Sequence, residues 1–143
     1  MKKIITLLMV FACLQTTHAQ QIKNYKIAND TNKTERTLML NLVRDKLYKE
    51  FKQEFVFSVD VFNVSKKYAW ITADALRKDG KAIVFKEDEA SFMDCCGVQA
   101  LLIKKNNSWV VEEYGAFSTD VWYDGIWKRH NAPIALWGTD YHK

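Results

Sequence analysis

The hydrophobic period of this chain changes once, from a helical spacing to a strand spacing, and that change restricts the fold more than any other feature. Leu40, Val43, Leu47 and Phe51 recur at steps of three and four, with Leu38, Met39 and Leu42 widening the stripe. Arg44, Asp45, Lys46, Lys49, Glu50 and Lys52 occupy positions between them. This spacing predicts an amphipathic helix of about five turns with one face for a core. Asn32, followed three residues later by Glu35, predicts a capping box at its start.

From Phe55 onward the period is two. Phe55, Phe57, Val59 and Val61 alternate with Val56, Ser58 and Asp60, which predicts a half-buried strand with Val61 on the Phe55 face. After a turn at Asn63-Val64-Ser65-Lys66-Lys67, Ala69, Ile71, Ala73 and Ala75 share one face of a second strand, opposite Tyr68, Trp70 and Thr72. Small side chains on that face leave room for a helix to approach closely. Lys78-Asp79-Gly80 reads as a turn, Lys81 to Lys86 as a third strand and Lys86 to Asp94 as an acidic connection. Val98 to Lys105 and Trp109 to Tyr114 read as strands four and five around a tight turn at Asn106-Asn107. Gln21 to Ala28 is an edge strand or an unstructured lead.

A helix followed by a meander specifies an α+β domain. The expected layout is one long N-terminal helix packed on a curved antiparallel sheet of about four to five strands. The segment from Ala116 to Lys143 carries Phe117, Trp122, Tyr123, Trp127, Trp137 and Tyr141, too much apolar area for a solvated tail. It is expected to fold back, with Ser118, Thr119 or Asp120 capping a short helix that aligns Trp122, Tyr123, Ile126, Trp127 and His130.

Lys2 and Lys3, the apolar run Ile4 to Leu14, and small Thr17 and Ala19 read as an export signal over residues 1–19. A run of about eleven residues is too short for a bilayer core that takes about twenty. Cleavage near Ala19-Gln20 is therefore expected, with no stable membrane insertion afterwards. Residues 20–143 then form a single domain in the periplasm or secreted, where conditions are oxidising. Lipidation at Cys13 is the less favoured alternative, because bulky Phe11 precedes it and the signal would be very short. Without Lys2 and Lys3, 19 of the 21 basic residues face 17 acidic ones. That balance argues against a nucleic-acid partner, which requires a basic face.

After signal cleavage Cys95 and Cys96 are the only cysteines. Adjacent Cα atoms lie about 3.8 Å apart across a trans peptide, under the roughly 4.4 Å usual for a disulfide. Four readings stay open: a vicinal disulfide forming a redox pair, free thiols, a bridge to another chain, or a soft-metal site with His130 or His142. Adjacent spacing suits metal less well than Cys-x-x-Cys, so no metal and no cofactor is expected. His130 is the one credible base for a cysteine nucleophile. Asp60, Asp74, Asp94 and Asp120 are candidate acid-base groups for a pocket between helix and sheet. No phosphate-binding glycine loop, His-rich zinc motif or Gly-x-Ser-x-Gly elbow occurs.

Trp122, Tyr123 and Trp127, with Asp120 ahead of them, form a candidate binding surface for a sugar or a protein. Most of the larger aromatic set, including Trp70, Trp109 and Trp137, suits the core of a small domain better. The favoured reading is an exported, non-enzymatic binding or interaction domain whose protein or small-molecule partner is unknown. The alternatives are a small enzyme and a redox-responsive protein using Cys95 and Cys96.

The order of elements resembles cystatin-like and nuclear-transport-factor-2-like domains, in which a curved sheet wraps a helix. Inhibitory cystatins carry Gln-x-Val-x-Gly where this chain has Asn63-Val64-Ser65-Lys66-Lys67, so the resemblance does not extend to protease inhibition. Val98-Gln99-Ala100-Leu101-Leu102-Ile103-Lys104-Lys105, Trp109-Val110-Val111-Glu112 and Ser118-Thr119-Asp120-Val121-Trp122 resemble a group of small exported bacterial proteins of uncharacterised activity. That likeness implies an envelope location.

Overall fold

The change of period becomes one main helix and one antiparallel sheet in the computed structural model, which describes residues 21–86 and 90–138. The expectations for the export signal and Cys13, for residues 87–89 of the acidic connection, and for Tyr141 and His142 lie outside the described residues. In chain order the elements are β1 (Lys23–Asn24), α1 (Lys33–Phe51), β2 (Phe55–Val64), β3 (Tyr68–Arg77), β4 (Met93–Lys105), β5 (Ser108–Ser118) and α2 (Ile126–His130). Single 3₁₀ turns at Ala90–Phe92 and Ile134–Trp137 complete them. The five strands lie side by side in chain order, each antiparallel to the next. The class is α+β.

Asn32 does precede α1, but the capping box is not formed. Its side chain accepts from the Asn29 N–H at 2.8 Å and donates to the Ile27 carbonyl at 3.1 Å. Glu35 reaches toward Tyr25 and Trp109 instead of back to Asn32. The reason is that the lead folds onto the helix and supplies other partners. Arg36 fixes that lead by donating to the Tyr25 carbonyl at 2.8 Å and the Lys26 carbonyl at 3.1 Å.

Met39, Leu40, Val43 and Leu47 are the buried residues of α1. Leu38, expected to widen the stripe, is 51% exposed. At about 100° per residue it lies roughly 150° around the helix from the middle of the buried face. Facing α1 are Ala69, Ile71, Ala73 and Ala75 of β3 and Val98, Ala100 and Leu102 of β4. Phe62 and Val64 of β2 join this cluster and Val61 does not. Val59 pairs with Ala73 and Val61 with Thr72, so Asp60 is an extra residue in β2. A bulge of one residue shifts the alternation, which puts Val61 on the second face and corrects the expected pattern.

Lys81 to Lys86 is not a strand. Ile83 and Phe85 rest half-buried on the helix-side cluster. The Gln53 side chain donates to the Val84 carbonyl at 2.7 Å and accepts from its N–H at 3.0 Å. One amide thus takes both backbone groups that a neighbouring strand would otherwise bind.

On the second face, Tyr68, Trp70, Leu101 and Ile103 are buried under Ile126, Ala132, Leu136 and Trp137. Trp70 and Trp137 stack with ring centroids 4.6 Å apart. The Tyr68 hydroxyl donates to the His130 carbonyl at 2.7 Å and the Asn63 amide to the Leu136 carbonyl at 2.9 Å. Ser118, Thr119 and Asp120 do not cap α2. Gly125 precedes that helix at a φ of 72°, a left-handed conformation that glycine adopts without strain. The Asp120 N–H donates to Ser118 Oγ in a turn further upstream.

Candidate functional site

The residues that cover the second face stop partway along β3. Beyond Thr72 the register places Ser58 opposite Asp74 and then Val56 opposite Leu76 on that same face. Val56 is 41% and Leu76 51% exposed, although both are large and apolar. Beside them β4 loses register with β5. Met93 pairs with Ser118 and Val98 with Ala116, so four residues of β4 stand against Phe117 alone. Among those four are Cys95 and Cys96, joined to each other by a disulfide with a cis peptide between them. Cys95 is exposed and Cys96 half-buried.

Val56, Leu76, Ile83 and the two cysteines line an open groove of about 380 Å³. Its lining also includes Ala75, which with Ile83 belongs to the helix-side cluster, and Arg77, Lys78, Gly80, Lys81 and Ala82 of the following turn. Arg77 pairs with Asp79 at 2.5 Å and Lys78 with Glu54 at 3.0 Å. Lys81 donates its backbone N–H to Asp79 at 3.1 Å; its ammonium makes no ion-pair contact among the described residues, although its charge, like that of Arg77, acts on the Asp79 carboxylate.

The other candidates have separate surroundings. Trp122, Tyr123 and Trp127 are half-buried. The Trp122 indole donates to Gln99 at 3.1 Å and lies across Gly115, where an added Cβ would come within 2.3 Å of the ring nitrogen. Only glycine fits beneath that ring. Tyr123 packs 5.7 Å from Trp70, and Trp127 6.0 Å from Trp137. Asp120 is exposed, as are Asp60, Asp74 and Asp94. Asp60 pairs with Lys26 at 3.4 Å, and no described hydrogen bond or ion pair joins any two of these carboxylates. The layer between α1 and the sheet is filled, with Met39, Val43, Leu47, Ala75, Val98, Ala100 and Leu102 fully buried.

His130 is bonded through its ring to Glu113, which also accepts from Arg129 at 2.9 Å. Burial pushes the Glu113 carboxyl up, but hydrogen bonds from His130 and Arg129 and their charges outweigh it and hold the group below its ordinary value. His130 sits at the Tyr68 end of β3 and the cysteines at the Leu76 end. At about 3.3 Å per residue those ends are roughly 25 Å apart, so the structure does not assemble a Cys-His pair.

Glu35 is bonded from three sides. It accepts from Tyr25 and Trp109 at 2.8 Å each and pairs with Lys104 at 3.4 Å. Burial pushes its carboxyl up, yet the Trp109 and Tyr25 hydrogen bonds and the Lys104 charge prevail and hold it below the ordinary value. Burial, together with the hydrogen bond to Glu35 and its charge, pushes the Tyr25 hydroxyl up to about 12. The cluster clamps the lead, α1 and the β4–β5 hairpin together, with its acceptors already engaged by the protein.

Among the described residues, no group of three or more His, Cys, Asp and Glu side chains is placed to hold a metal ion. No described helix is long and apolar enough to cross a membrane. Comparison of the chain with protein-family models, curated proteins and solved structures yields no match.

Sequence reasoning missed Val56, Leu76 and Lys81. The available signal was the presence of two large apolar residues in the polar phase of alternating strands. It also missed Glu35 as a hub, because its partners come from residues 10 to 74 positions away.

The Glu35 clamp has a pH signature. A carboxyl held lower in the folded protein stabilises it above the ordinary carboxyl pKa, and that contribution is lost as pH falls through the lowered folded value. Urea unfolding from about pH 6 to about pH 3 should show falling stability, with a shallower fall in Glu35→Gln. That variant should also lose about 1–2 kcal/mol at neutral pH. An unchanged pH slope would contradict the clamp.

Proposed function

We propose that the chain is an exported, non-enzymatic binding domain whose ligand seats on the bare half of the second sheet face. The observation that carries this reading is the Val56–Leu76 pair, two apolar side chains left in water beside a groove of about 380 Å³. Exposed apolar surface rimmed by polar residues is costly to keep unless something covers it. Ligand sites are concave and mostly apolar, with a few polar groups that fix orientation. In this reading Trp122, Tyr123 and Trp127 pack over the other part of that face, and Asp120 stays in solvent. The filled layer beneath α1 favours binding over the pocket enzyme built on Asp60, Asp94 or Asp120.

Export to the periplasm or beyond belongs to the same proposal. Its support is the basic start, the short apolar run and the small residues before Gln20, together with a disulfide suited to an oxidising compartment. One main helix followed by an antiparallel meander supports the likeness in layout to cystatin-like and nuclear-transport-factor-2-like domains. A curved sheet and a C-terminal segment acting as a single folded-back unit are parts of that proposal.

A fragment screen read by amide NMR tests the binding site. Apolar fragments should shift the amides of Val56, Leu76, Ile83, Cys95 and Cys96 together and saturably. Hits confined to the Glu113–His130 region, or fragments chemically altered during the titration, would overturn the reading.

A second reading rests on exposed Cys95 being bonded to half-buried Cys96. A dithiol can deliver two electrons and two protons to this bond, giving two thiols while the dithiol closes to its own disulfide. Protein isolated from its native compartment should then gain about two daltons on treatment with dithiothreitol. No mass gain would remove a redox role.

A further inference from the structure

Building on the binding reading above, we infer that the groove takes a small apolar molecule bearing a single carboxylate, with Lys81 as its cation. Three observations converge on that class. The floor is apolar, because Val56 and Leu76 face one another across β2 and β3 on the uncovered face. The Cys95–Cys96 disulfide forms part of the wall and adds polarizable sulfur without a hydrogen-bond donor. Such a surface pairs with hydrocarbon and leaves polar groups unsatisfied.

The rim carries charge of one sign. Among the described residues, Arg77, Lys78 and Lys81 are the charged ones lining the groove, with no carboxylate beside them in that lining. Asp79 and Glu54, just outside, answer Arg77 and Lys78. Among the described residues of this rim, three cations against two carboxylates leave one positive charge in excess, and Lys81 is the ammonium in no described ion pair. An incoming monoanion completes that balance. A dianion would overshoot it, and a cation would be repelled by it.

The size sets the remaining limit. A volume of about 380 Å³ is near the lower end of ordinary small-molecule sites. It suits a short hydrocarbon or a single ring system better than a peptide or an oligosaccharide. The hydrocarbon lies on Val56, Leu76, Ile83 and the disulfide, and the carboxylate meets Lys81 at the turn. Because Lys81 is exposed, its replacement leaves the fold intact.

The test titrates isotope-labelled protein with sodium octanoate and, separately, with octanol, following amide shifts. Octanoate should shift Val56, Leu76, Ile83, Cys95 and Cys96 saturably, and octanol should shift the same amides with about tenfold weaker affinity. Lys81→Gln should weaken octanoate about tenfold and leave octanol unchanged. Equal affinities for the two ligands, or a Lys81→Gln variant with unaltered octanoate binding, would overturn the carboxylate inference while the binding groove stands. Shifts absent from these amides with both ligands, or confined to other exposed residues such as Ile27 and Phe92, would overturn the groove as well.

Discussion

Burial of the α1 stripe over a sheet face whose centre is a column of small residues is the constraint from which the rest of the structure follows. Ala69, Ala73 and Ala75 on β3 and Ala100 on β4 present little bulk to the helix. Met39, Leu40, Val43 and Leu47 therefore settle directly onto the sheet. Burial of these side chains is the main apolar gain on that face, at about 25 cal/mol for each Å² removed from water. Larger residues in the column would hold the helix off and open a cavity beneath it. With alanines there, the layer closes.

Closing that layer leaves no room for a ligand between helix and sheet, which is why the proposed binding site lies outside it. A helix laid across a sheet can enclose a ligand only if space remains between them, and here it is occupied. The second face is the remaining large surface, and Ile126, Ala132, Leu136 and Trp137 pack on its Tyr68 end, with Trp137 stacked on Trp70. Tyr68 and Asn63 fix that cover by bonding carbonyls of His130 and Leu136. At the opposite end of β3, Val56, Leu76 and the disulfide remain accessible. The polar clusters around Glu35 and Glu113 have partners within the protein, whereas the rim of the groove holds a cation in no described ion pair.

Much of the fold was legible because periodicity reports which side chains are buried together. The α1 stripe, the alanine face of β3 and the turns at Gly80 and Asn106-Asn107 follow from local pattern and turn chemistry. The errors arose where distant groups compete with local ones. The extra residue at Asp60 reverses the faces after it, and alternation alone carries no mark of a bulge. Gln53 replaces a strand partner for Val84 from 31 residues away. Asn32 and Glu35 leave their expected capping roles because the folded-back lead and Trp109 offer other bonds. The adjacent cysteines stood out in the sequence, whereas the groove beside them required the register of β2 with β3.

The central claim, that no spare volume separates α1 from the sheet, is tested most directly by urea unfolding of Ala73→Leu. Overpacking a filled layer should cost about 1–3 kcal/mol. Leu38→Ala, on the exposed side of α1, should change stability by less than about 0.5 kcal/mol. An Ala73→Leu protein as stable as the original, or more stable, would show that room exists beneath the helix and would contradict the account.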